Sequence, residues 1–368
     1  MKVVFVLEHY HPYIGGAERL FQLLAEALVE ANYEVIVVTT LFRKSLATEE
    51  IYNGVKIVRI NCGNRFLFTV MSLPAIVRHA KTAQLIHTTT YNAALPAWLA
   101  ARWLGKKVLV TFHEVWGALW MRLPFASSWQ RKGFQLFEKL LLKLSFDHYV
   151  AVSNFTRQSL IQNGIPSHKI SQIYNGLHYN RFPRDQHQAP ANFTYTYFGR
   201  LGISKGLDLL LPAAARFYKA HPDSRLVLIL PKRPRKMYQQ IIALIDQLKL
   251  QEHVRLRHEL SREELYEQIC HSSCTVVPSY SEGFCFVAAE TVALGVPIVS
   301  SGQGALAEVV SGPMIEMENM SAAALYNALE QAYAGQWSFK PVRAFPMQTA
   351  LNQYLQLYKN NSILQKQP

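Results

Sequence analysis

The amino-acid sequence predicts an α/β protein made of two doubly wound, Rossmann-like domains. Residues 2–40 contain an apolar segment, a turn with two adjacent glycines, an amphipathic segment and a second apolar segment, which is the order of a βαβ unit. Similar βα segments return after residue 193. Between the halves lies a polar stretch, 183–192, with two prolines, which is typical of a linker. A chain of 368 residues is long enough for two such domains.

The first half is predicted to form one parallel sheet. A helix from 17 to about 31 follows the glycine turn, because its leucines recur at helical spacing. The predicted strands of this half, most of them separated by helical stretches, are 2–7, 34–40, 55–60, 83–88, 107–112 and 148–152. The first domain is therefore assigned to residues 1–182.

The second half repeats this pattern. Its predicted strands are 193–198, 225–230, 253–256, 275–279 and a short Val/Ile segment after Pro297. Residues 261–265 read as a helix start with an acidic first turn, and 348–364 as a last helix. The second domain is assigned to 193–342, and the last helix lies within a C-terminal segment, 343–368.

Composition limits the function classes. Hydrophobic residues make up 50% and charged residues 17%, a globular balance, and the net charge of +13 favours anionic partners such as nucleotide phosphates, acidic lipid surfaces or nucleic acid. The basic run 232–236 lacks the interleaved aromatic residues that nucleic-acid binding favours. The four cysteines do not form a closely spaced set, which indicates a reducing compartment. Cys270 and Cys274 are predicted to be buried thiols rather than metal ligands.

No signal peptide and no membrane span are predicted. The apolar run at the N-terminus is too short, and no later segment reaches eighteen apolar residues. The expected localisation is cytoplasmic, with the inner face of the membrane as an alternative site.

A motif at 281–290 carries the strongest functional signal. Glu282 lies in a loop and Glu290 follows eight residues later, inside a short helix of small residues that is predicted to end at Gly295. The amides at a helix start bind anions, because they lack intrahelical acceptors and the helix dipole is positive there. A phosphate is therefore expected at the amides near the residues Phe284, Cys285, Phe286 and Val287, with Glu290 positioned to accept the hydroxyls of a ribose.

A second motif follows the strand at 193–198. Gly199, Arg200 and Lys205 lie in a glycine-rich turn at the end of the strand. Two cations in such a turn suit a pyrophosphate, since guanidinium and ammonium groups form charge-assisted hydrogen bonds with phosphate oxygens. The other reading is a solvated basic loop.

The order of these motifs resembles glycosyltransferase family 4. The matching stretches are Glu-x7-Glu with its Gly-Phe and Gly-Val-Pro-Ile-Val context, Gly-Arg-Leu with a following Lys-Gly, the Asn-Gly segment at 175–176, and the N-terminal Gly15-Gly16 turn. The resemblance implies a GT-B fold, with two Rossmann-like domains facing each other across a cleft and the C-terminal helix packing back on the first domain. It implies a hexosyltransferase reaction with retention, in which a sugar moves from a UDP- or GDP-linked donor to an acceptor hydroxyl. No metal or other cofactor is implied.

The resemblance also assigns roles to individual residues. Arg200, Lys205 and the helix amides would stabilise the leaving diphosphate, while Glu282 lies near the donor sugar. His113, in a Thr-x-His context after the strand at 107–112, would contact the transferred sugar. Gly15 and Gly16 would approach the donor phosphate and the acceptor. Cys285 departs from the pattern, because a glycine is common there, and its thiol is expected to narrow the sugar pocket.

Two other functions share the fold. A sugar-nucleotide epimerase would convert the donor without an acceptor, and a non-catalytic scaffold would bind nucleotide sugars without turnover. The acceptor is expected to be a glycolipid or a cell-surface polysaccharide precursor. The segment 129–146, with Trp116, Trp120 and Phe125 before it, fits either contact with an anionic membrane or a packed helix with lysines in water.

Overall fold

The computed structural model describes residues 1–13, 15–124, 127–183 and 187–363. It confirms the α/β class, with two sheets flanked by helices. The chain divides into two compact units. Unit 1 comprises residues 1–117 and 133–176 and the chain from Pro346 onward, whereas unit 2 comprises 118–132 and 177–345.

Unit 1 is built on an eight-stranded sheet within the described residues. Its strands are β1 Lys2–Val6, β2 Glu34–Thr40, β3 Glu49–Tyr52, β4 Val55–Ile60, β5 Leu85–Thr89, β6 Lys107–Phe112, β7 His148–Ala151 and β8 Ile170–Gln172. The strand order is β3-β4-β2-β1-β5-β6-β7-β8, and β3 alone pairs antiparallel. The order reverses between β1 and β5, so the loops after these strands flank the place where doubly wound sheets bind ligands.

Helices cover both faces of this sheet. They are α1 Gly16–Glu30, α2 Arg65–Met71, α3 Leu73–Ala80, α4 Ala94–Leu104, α5 Ser128–Leu142, α6 Asn154–Gln162 and, at the end of the chain, α13 Met347–Ile363. Alternate residues of β1 belong to different cores: Val4 and Val6 pack with α2–α4, whereas Val3 and Phe5 pack with α1 and α13. A strand with period-two alternation and both faces apolar therefore has helices on each side.

Unit 2 contains a seven-stranded sheet in the part of the chain that the structure describes. Its strands are β9 Thr194–Phe198, β10 Arg225–Ile229, β11 Val254–Arg257, β12 Cys274–Val277, β13 Ile298–Ser300, β14 Gly312–Glu316 and β15 Ser338–Lys340. The order is β11-β10-β9-β12-β13-β14-β15, with β15 antiparallel to β14. The reversal of order falls between β9 and β12.

The helices of unit 2 also lie on both faces. They are α7 Leu207–Ala220, α8 Arg235–Gln247, α9 Arg262–Cys270, α10 Phe286–Ala293, α11 Leu306–Val309 and α12 Ala322–Tyr333. Ser261 and Glu264 form a reciprocal capping box at the start of α9, as the acidic first turn predicts. Gly295, at φ +72°, follows the C-cap of α10 and confirms the predicted helix end.

The unit boundaries differ from the predicted domain boundaries. Unit 2 begins at Leu177 rather than after residue 182, because the Leu177 amide donates to the carbonyl of Phe345 and the Tyr179 hydroxyl accepts from the Phe345 amide. The segment 118–132, predicted within the first domain, is grouped with unit 2. Residues 184–186 of the predicted linker lie outside the described residues.

Four short strands were not predicted. They are β3, β8, β14 and β15, which have three to five residues and lie at or next to a sheet edge. Over the described residues, no helix is both long enough and apolar enough to cross a bilayer.

Candidate active site

The two sequence motifs of unit 2 meet at the reversal of strand order. The Gly199–Gly206 turn follows β9, and residues 278–285 follow β12, its parallel neighbour. Both loops therefore leave the carboxyl edge of the sheet side by side. This is the position at which open α/β sheets bind their ligands.

The two loops approach each other closely. The Tyr280 amide donates to the Ser204 carbonyl at 2.7 Å. Gly206 has φ +70°, and a Cβ there would lie 2.0 Å from the Pro278 carbonyl oxygen. Only glycine fits this position, both for its backbone angle and for the space available.

An ion pair joins the motifs. Lys205 Nζ lies 2.7 Å from Glu282 Oε1, and the Ser279 hydroxyl donates to the same oxygen at 2.7 Å. The Glu282 side chain is largely buried. Its backbone is also held, because the Ala305 amide donates to the Glu282 carbonyl at 2.8 Å. Charge-assisted hydrogen bonds from an ammonium and a hydroxyl thus fix this carboxylate in one place.

Gly304 supports the same arrangement from the loop after β13. It has φ +66°, and a Cβ there would lie 2.5 Å from the Glu282 carbonyl oxygen. Three neighbouring strands, β9, β12 and β13, therefore contribute to the position of Glu282. The sequence analysis did not assign Gly304 or Ser279 to the site.

Arg200 lies in the same turn as Lys205, but it faces solvent. Within the described chain no carboxylate is close enough to form an ion pair with it. The structure thus brings Lys205 to Glu282 and leaves the second predicted cation exposed. An exposed guanidinium retains its donors for an external anion.

Helix α10 begins beside the ion pair. Its N-cap, Cys285, has φ +70°, a left-handed conformation that costs a residue with a Cβ roughly 1 kcal/mol. Burial raises the pKa of the Cys285 thiol, and the Glu282 charge raises it further. The first-turn amides of the helix begin at Phe286, so of the residues 284–287 predicted to bind a phosphate, Phe286 and Val287 lie in the helix itself.

Aromatic and aliphatic groups flank this helix start. The rings of Phe284 and Phe286 pack edge to face at 5.2 Å. Val287 Cγ2 lies 3.4 Å from where a Cβ would be on Gly199, which has φ +141°. Gly199 therefore allows the turn after β9 to pass close to the first turn of α10.

Glu290 lies in the second turn of α10. Burial raises its pKa to about 7, and the charge of Arg262 on α9 opposes the rise. The charge of Glu290 in turn contributes to a raised pKa of Tyr266, so this carboxyl faces α9. A carboxyl near half-ionisation at neutral pH can accept or donate a hydrogen bond.

A second hydrogen-bonded pair was missed by the sequence analysis. The Tyr280 hydroxyl donates to Asp208 Oδ2 at 2.7 Å, which links the loop after β12 to the first turn of α7. Burial raises the pKa of Asp208, while the bond from Tyr280 opposes this. The available signal was the position of Asp208 in the first turn of the helix that follows Lys205-Gly206.

The remaining predicted site residues belong to unit 1. His113 directly follows β6, and its carbonyl accepts a long hydrogen bond of 3.5 Å from the Thr156 hydroxyl. Gly15 is the N-cap of α1 and Gly16 its first residue. A Cβ on Gly15 would lie 2.1 Å from Glu18 Oε2, so the Glu18 carboxylate folds over this turn.

Unit 1 has an ion cluster at its own reversal of strand order, which the sequence analysis did not find. Glu8 lies two residues after the end of β1, and its carboxylate lies 2.8 Å from Arg65 Nε. Asn92, after β5, donates to the other carboxylate oxygen at 3.0 Å. The single acidic residue after a buried first strand was a signal for this cluster. Across the described residues, no three His, Cys, Asp or Glu side chains group closely enough to hold a metal ion.

Two family models cover most of the chain. Residues 14–181 match the model described as Glycosyltransferase Family 4, and residues 181–336 match Glycosyl transferases group 1.

Curated relatives are distant in sequence but extensive in coverage. The gpi3 subunit of phosphatidylinositol N-acetylglucosaminyltransferase from Schizosaccharomyces pombe is 24% identical over 84% of this chain and 68% of its own length. GDP-mannose:cellobiosyl-diphosphopolyprenol alpha-mannosyltransferase from Xanthomonas campestris is 25% identical over 82% of this chain and 78% of its own.

Solved structures share the fold. Sucrose-phosphate synthase from Thermosynechococcus elongatus superposes with a TM-score of 0.79 at 21% identity, covering 98% of both chains. HepE from Anabaena, solved in complex with UDP and glucose, superposes with a TM-score of 0.71 at 18% identity, covering 98% of this chain and 100% of its own. With the motifs and the fold, these matches show that the chain belongs to glycosyltransferase family 4, has the GT-B fold and is a hexosyltransferase that uses nucleotide-sugar donors.

Proposed function

We propose that the protein transfers a hexose from a UDP- or GDP-linked donor to a hydroxyl of a glycolipid or polysaccharide precursor, with retention at the anomeric carbon. The observation that carries the proposal is the Lys205–Glu282 ion pair beside the start of α10. Two of the relatives are named for transfer to phosphatidylinositol and to a diphosphopolyprenol-linked cellobiose, which supports a lipid-linked acceptor.

The chemistry follows from the charges at this edge of unit 2. Transfer breaks the bond between the anomeric carbon and the diphosphate oxygen, and negative charge grows on that diphosphate. Lys205, the exposed Arg200 and the first amides of α10 are the groups that would stabilise it. The acceptor oxygen forms the new glycosidic bond and loses its proton to the departing diphosphate or to solvent. No metal is required in this scheme.

Glu282 contacts the donor sugar in the scheme. Ser279 and Lys205 both donate to one of its oxygens, which fixes the carboxylate next to the phosphate-binding groups. We assign Glu282 to the hydroxyls of the donor sugar and Glu290 to those of the ribose. For unit 1, the family resemblance assigns His113 to the transferred sugar, and Gly15 and Gly16 to the approach of donor and acceptor; these roles remain predictions.

The test begins with a thermal-shift measurement of the full chain with UDP and GDP, each with and without a chelator. A nucleotide at about a hundred times its Kd adds roughly 2.7 kcal/mol to the free energy of unfolding, which shifts the melting temperature by several degrees. Stabilisation by one nucleotide in the presence of the chelator is expected. The matching donor sugar is then supplied with lipid-linked acceptors, and proton NMR of the product shows whether the anomeric configuration is kept.

Three results would count against the proposal. A shift that disappears with the chelator contradicts metal independence. A product with inverted configuration contradicts retention. Conversion of the donor to its epimer without an acceptor would favour an epimerase instead.

A further inference from the structure

Helix α2 is a short helix with an unusual distribution of apolar residues. Asn64 caps it, accepting hydrogen bonds from the amides of Phe66 and Leu67 at 3.0 Å. Phe68 alone is buried, against the sheet, whereas Phe66 is 64% and Val70 71% exposed. The helix is therefore well formed and turns most of its apolar side chains to the outside.

The outward apolar surface continues on the two helices that pack with α2. Trp103, on α4, is 74% exposed and borders a groove of about 350 Å³. The other residues that line the groove are Leu73, Pro74, Val77, Arg78 and Lys81, on α3 or directly after it. We call the exposed side of these helices, marked by Phe66, Leu67, Val70, Met71 and Trp103, the α2–α4 surface. Exposed apolar patches of this kind mark interaction sites.

Cations outnumber anions around this surface, although Lys56, Arg59, Arg65 and Arg102 form ion pairs with carboxylates from other segments. Residues 51–113 contain no Asp or Glu, whereas eight Lys and Arg lie within them: Lys56, Arg59, Arg65, Arg78, Lys81, Arg102, Lys106 and Lys107. Arg78 and Lys81 at the groove are exposed, and within the described chain no carboxylate pairs with either. The neighbouring His79 has a lowered pKa, first through burial and then through the charges of Lys56 and Arg78.

An apolar face with an exposed Trp and Phe and uncompensated cations at its rim matches a membrane surface of anionic lipids. The aromatic and aliphatic groups enter the interface, and the cations contact the headgroups. At the groove itself, Arg78 and Lys81 are exposed and form no ion pair within the described chain, which favours anionic headgroups over a protein partner of mixed charge. We infer that the α2–α4 surface lies on a membrane that contains anionic phospholipids.

This inference differs from the membrane contact predicted at 129–146. There, Trp129 on α5 is exposed, but Trp120 is buried, and Glu138 of α5 accepts hydrogen bonds from the amides of Trp116 and Gly117. Phe125 lies outside the described residues. One face of α5 therefore packs within the protein through the buried Glu138. Its exposed apolar residues, Trp129, Leu136 and Leu140, form a separate surface, which the Trp129 variant below distinguishes from the α2–α4 surface.

The inference deepens the proposed function, on which it rests in one respect: a lipid-linked acceptor brings the enzyme to a membrane.

The experiment is co-sedimentation of the full chain with vesicles of phosphatidylcholine alone or of phosphatidylcholine with phosphatidylglycerol. Binding to the anionic vesicles only is expected. The nucleotide thermal shift, measured on the same samples, reports the donor site separately, so failure of one proposal is distinguishable from failure of the other.

Variants locate the surface. Val70→Ser with Trp103→Ser should lower the partition coefficient by about tenfold or more, because two exposed apolar groups lose contact with the interface. Arg78→Gln with Lys81→Gln should lower it by about fivefold for each charge removed. Phe339→Ser is the matched control, since Phe339 is 73% exposed but belongs to unit 2. It should leave binding unchanged.

Other occupants give other results. Binding equal on both vesicle types, or unaffected by the Val70 and Trp103 changes, would overturn the inference. Loss of binding on Trp129→Ser alone would place the membrane contact on α5 instead. If light scattering shows a dimer that Val70→Ser with Trp103→Ser converts to a monomer, a second copy of the chain covers the surface and the inference is wrong.

Discussion

The two units have the same topology at their reversals of strand order but fill it differently. In unit 1, Glu8 is enclosed by Arg65 and Asn92, so its charge is satisfied by groups of its own unit. In unit 2, Lys205 pairs with Glu282, but Arg200 in the same turn remains exposed and α10 begins alongside. Shared topology gives both units a sheet edge of the kind that binds ligands, and the exposed Arg200 beside α10 supports the proposal that unit 2 receives the phosphates.

The largest expected effect is a difference in activity between variants of the Lys205–Glu282 ion pair of unit 2 and of the Arg65–Glu8 ion pair of unit 1. Lys205→Ala removes the cation nearest to the developing diphosphate charge, and kcat/KM should fall by about 10²- to 10³-fold. The nucleotide thermal shift should shrink with it. Arg65→Ala is the matched variant, because it removes a cation from the ion pair of unit 1.

Arg65 is more than half exposed, so its loss should cost at most about 1 kcal/mol of stability and leave the nucleotide shift unchanged. A reduced shift in Arg65→Ala with a normal shift in Lys205→Ala would reverse the comparison. Steady-state rates and melting curves with UDP or GDP measure both.

A smaller effect tests how the loops of unit 2 are held together. Gly206 and Gly295 both have positive φ, at +70° and +72°. A methyl group on Gly206 meets the Pro278 carbonyl, whereas nothing lies within 4 Å of the same position on Gly295. Gly206→Ala should therefore destabilise the protein by about 3 kcal/mol or more, and Gly295→Ala by about 1 kcal/mol.

Because two units need not unfold in one transition, the relevant melting temperature is that of the transition which the nucleotide raises. Equal losses in the two alanine variants would show that backbone strain alone accounts for the effect, without the contact at Pro278. Greater loss in Gly295→Ala would contradict the geometry of the loop.

Most of the fold was predictable because its long strands are apolar on both faces. The predicted segments at 34–40, 55–60 and 107–112 coincide with β2, β4 and β6. The edge strands β3 and β15 were missed, since an edge strand such as Glu49–Tyr52 buries little and carries no apolar run. Whether a short edge strand forms depends on the strand beside it rather than on its own sequence.

Within the site, motif spacing was sufficient to select Lys205 and Glu282 but not their supports. Ser279 lies only three residues before Glu282, but the motif spacing does not indicate that its hydroxyl donates to that carboxylate. Gly304 meets Glu282 from 22 positions further along the chain, and such a contact leaves no local pattern. The sequence motif also led to the expectation of two converging cations, whereas the structure shows one paired and one exposed. Which backbone amides lack helical acceptors at the start of α10 depends on the residue at which the helix begins. A sequence predicts that residue only to within a few positions.

The smallest expected effect concerns the charge of Glu290. Burial raises its pKa from 4.5 to about 7, so the folded protein holds this proton more tightly than the unfolded chain does. The resulting stabilisation is fully present below about pH 4.5 and is lost as the pH rises through 7, because the unfolded carboxyl ionises first. Glu290→Gln mimics the protonated form and should flatten this dependence. With allowance for its partial exposure, the variant should gain about 1–2 kcal/mol over the wild type between pH 5 and pH 8.

Glu267→Gln is the control, since Glu267 is exposed on α9, and its melting temperature should follow that of the wild type at both pH values. The pH dependence of nucleotide binding tests the role of Glu290 directly. If the ribose hydroxyls donate to ionised Glu290, UDP or GDP should stabilise the wild type more at pH 8 than at pH 5.5, and the 2′-deoxy nucleotide should lose part of that difference. A pH-independent nucleotide shift in the wild type would remove Glu290 from the ribose site. It would leave the assignment of Lys205 to the phosphates intact, because the pKa of Glu290 is raised by burial and opposed by Arg262 on α9, not by the loops that hold Lys205 and Glu282.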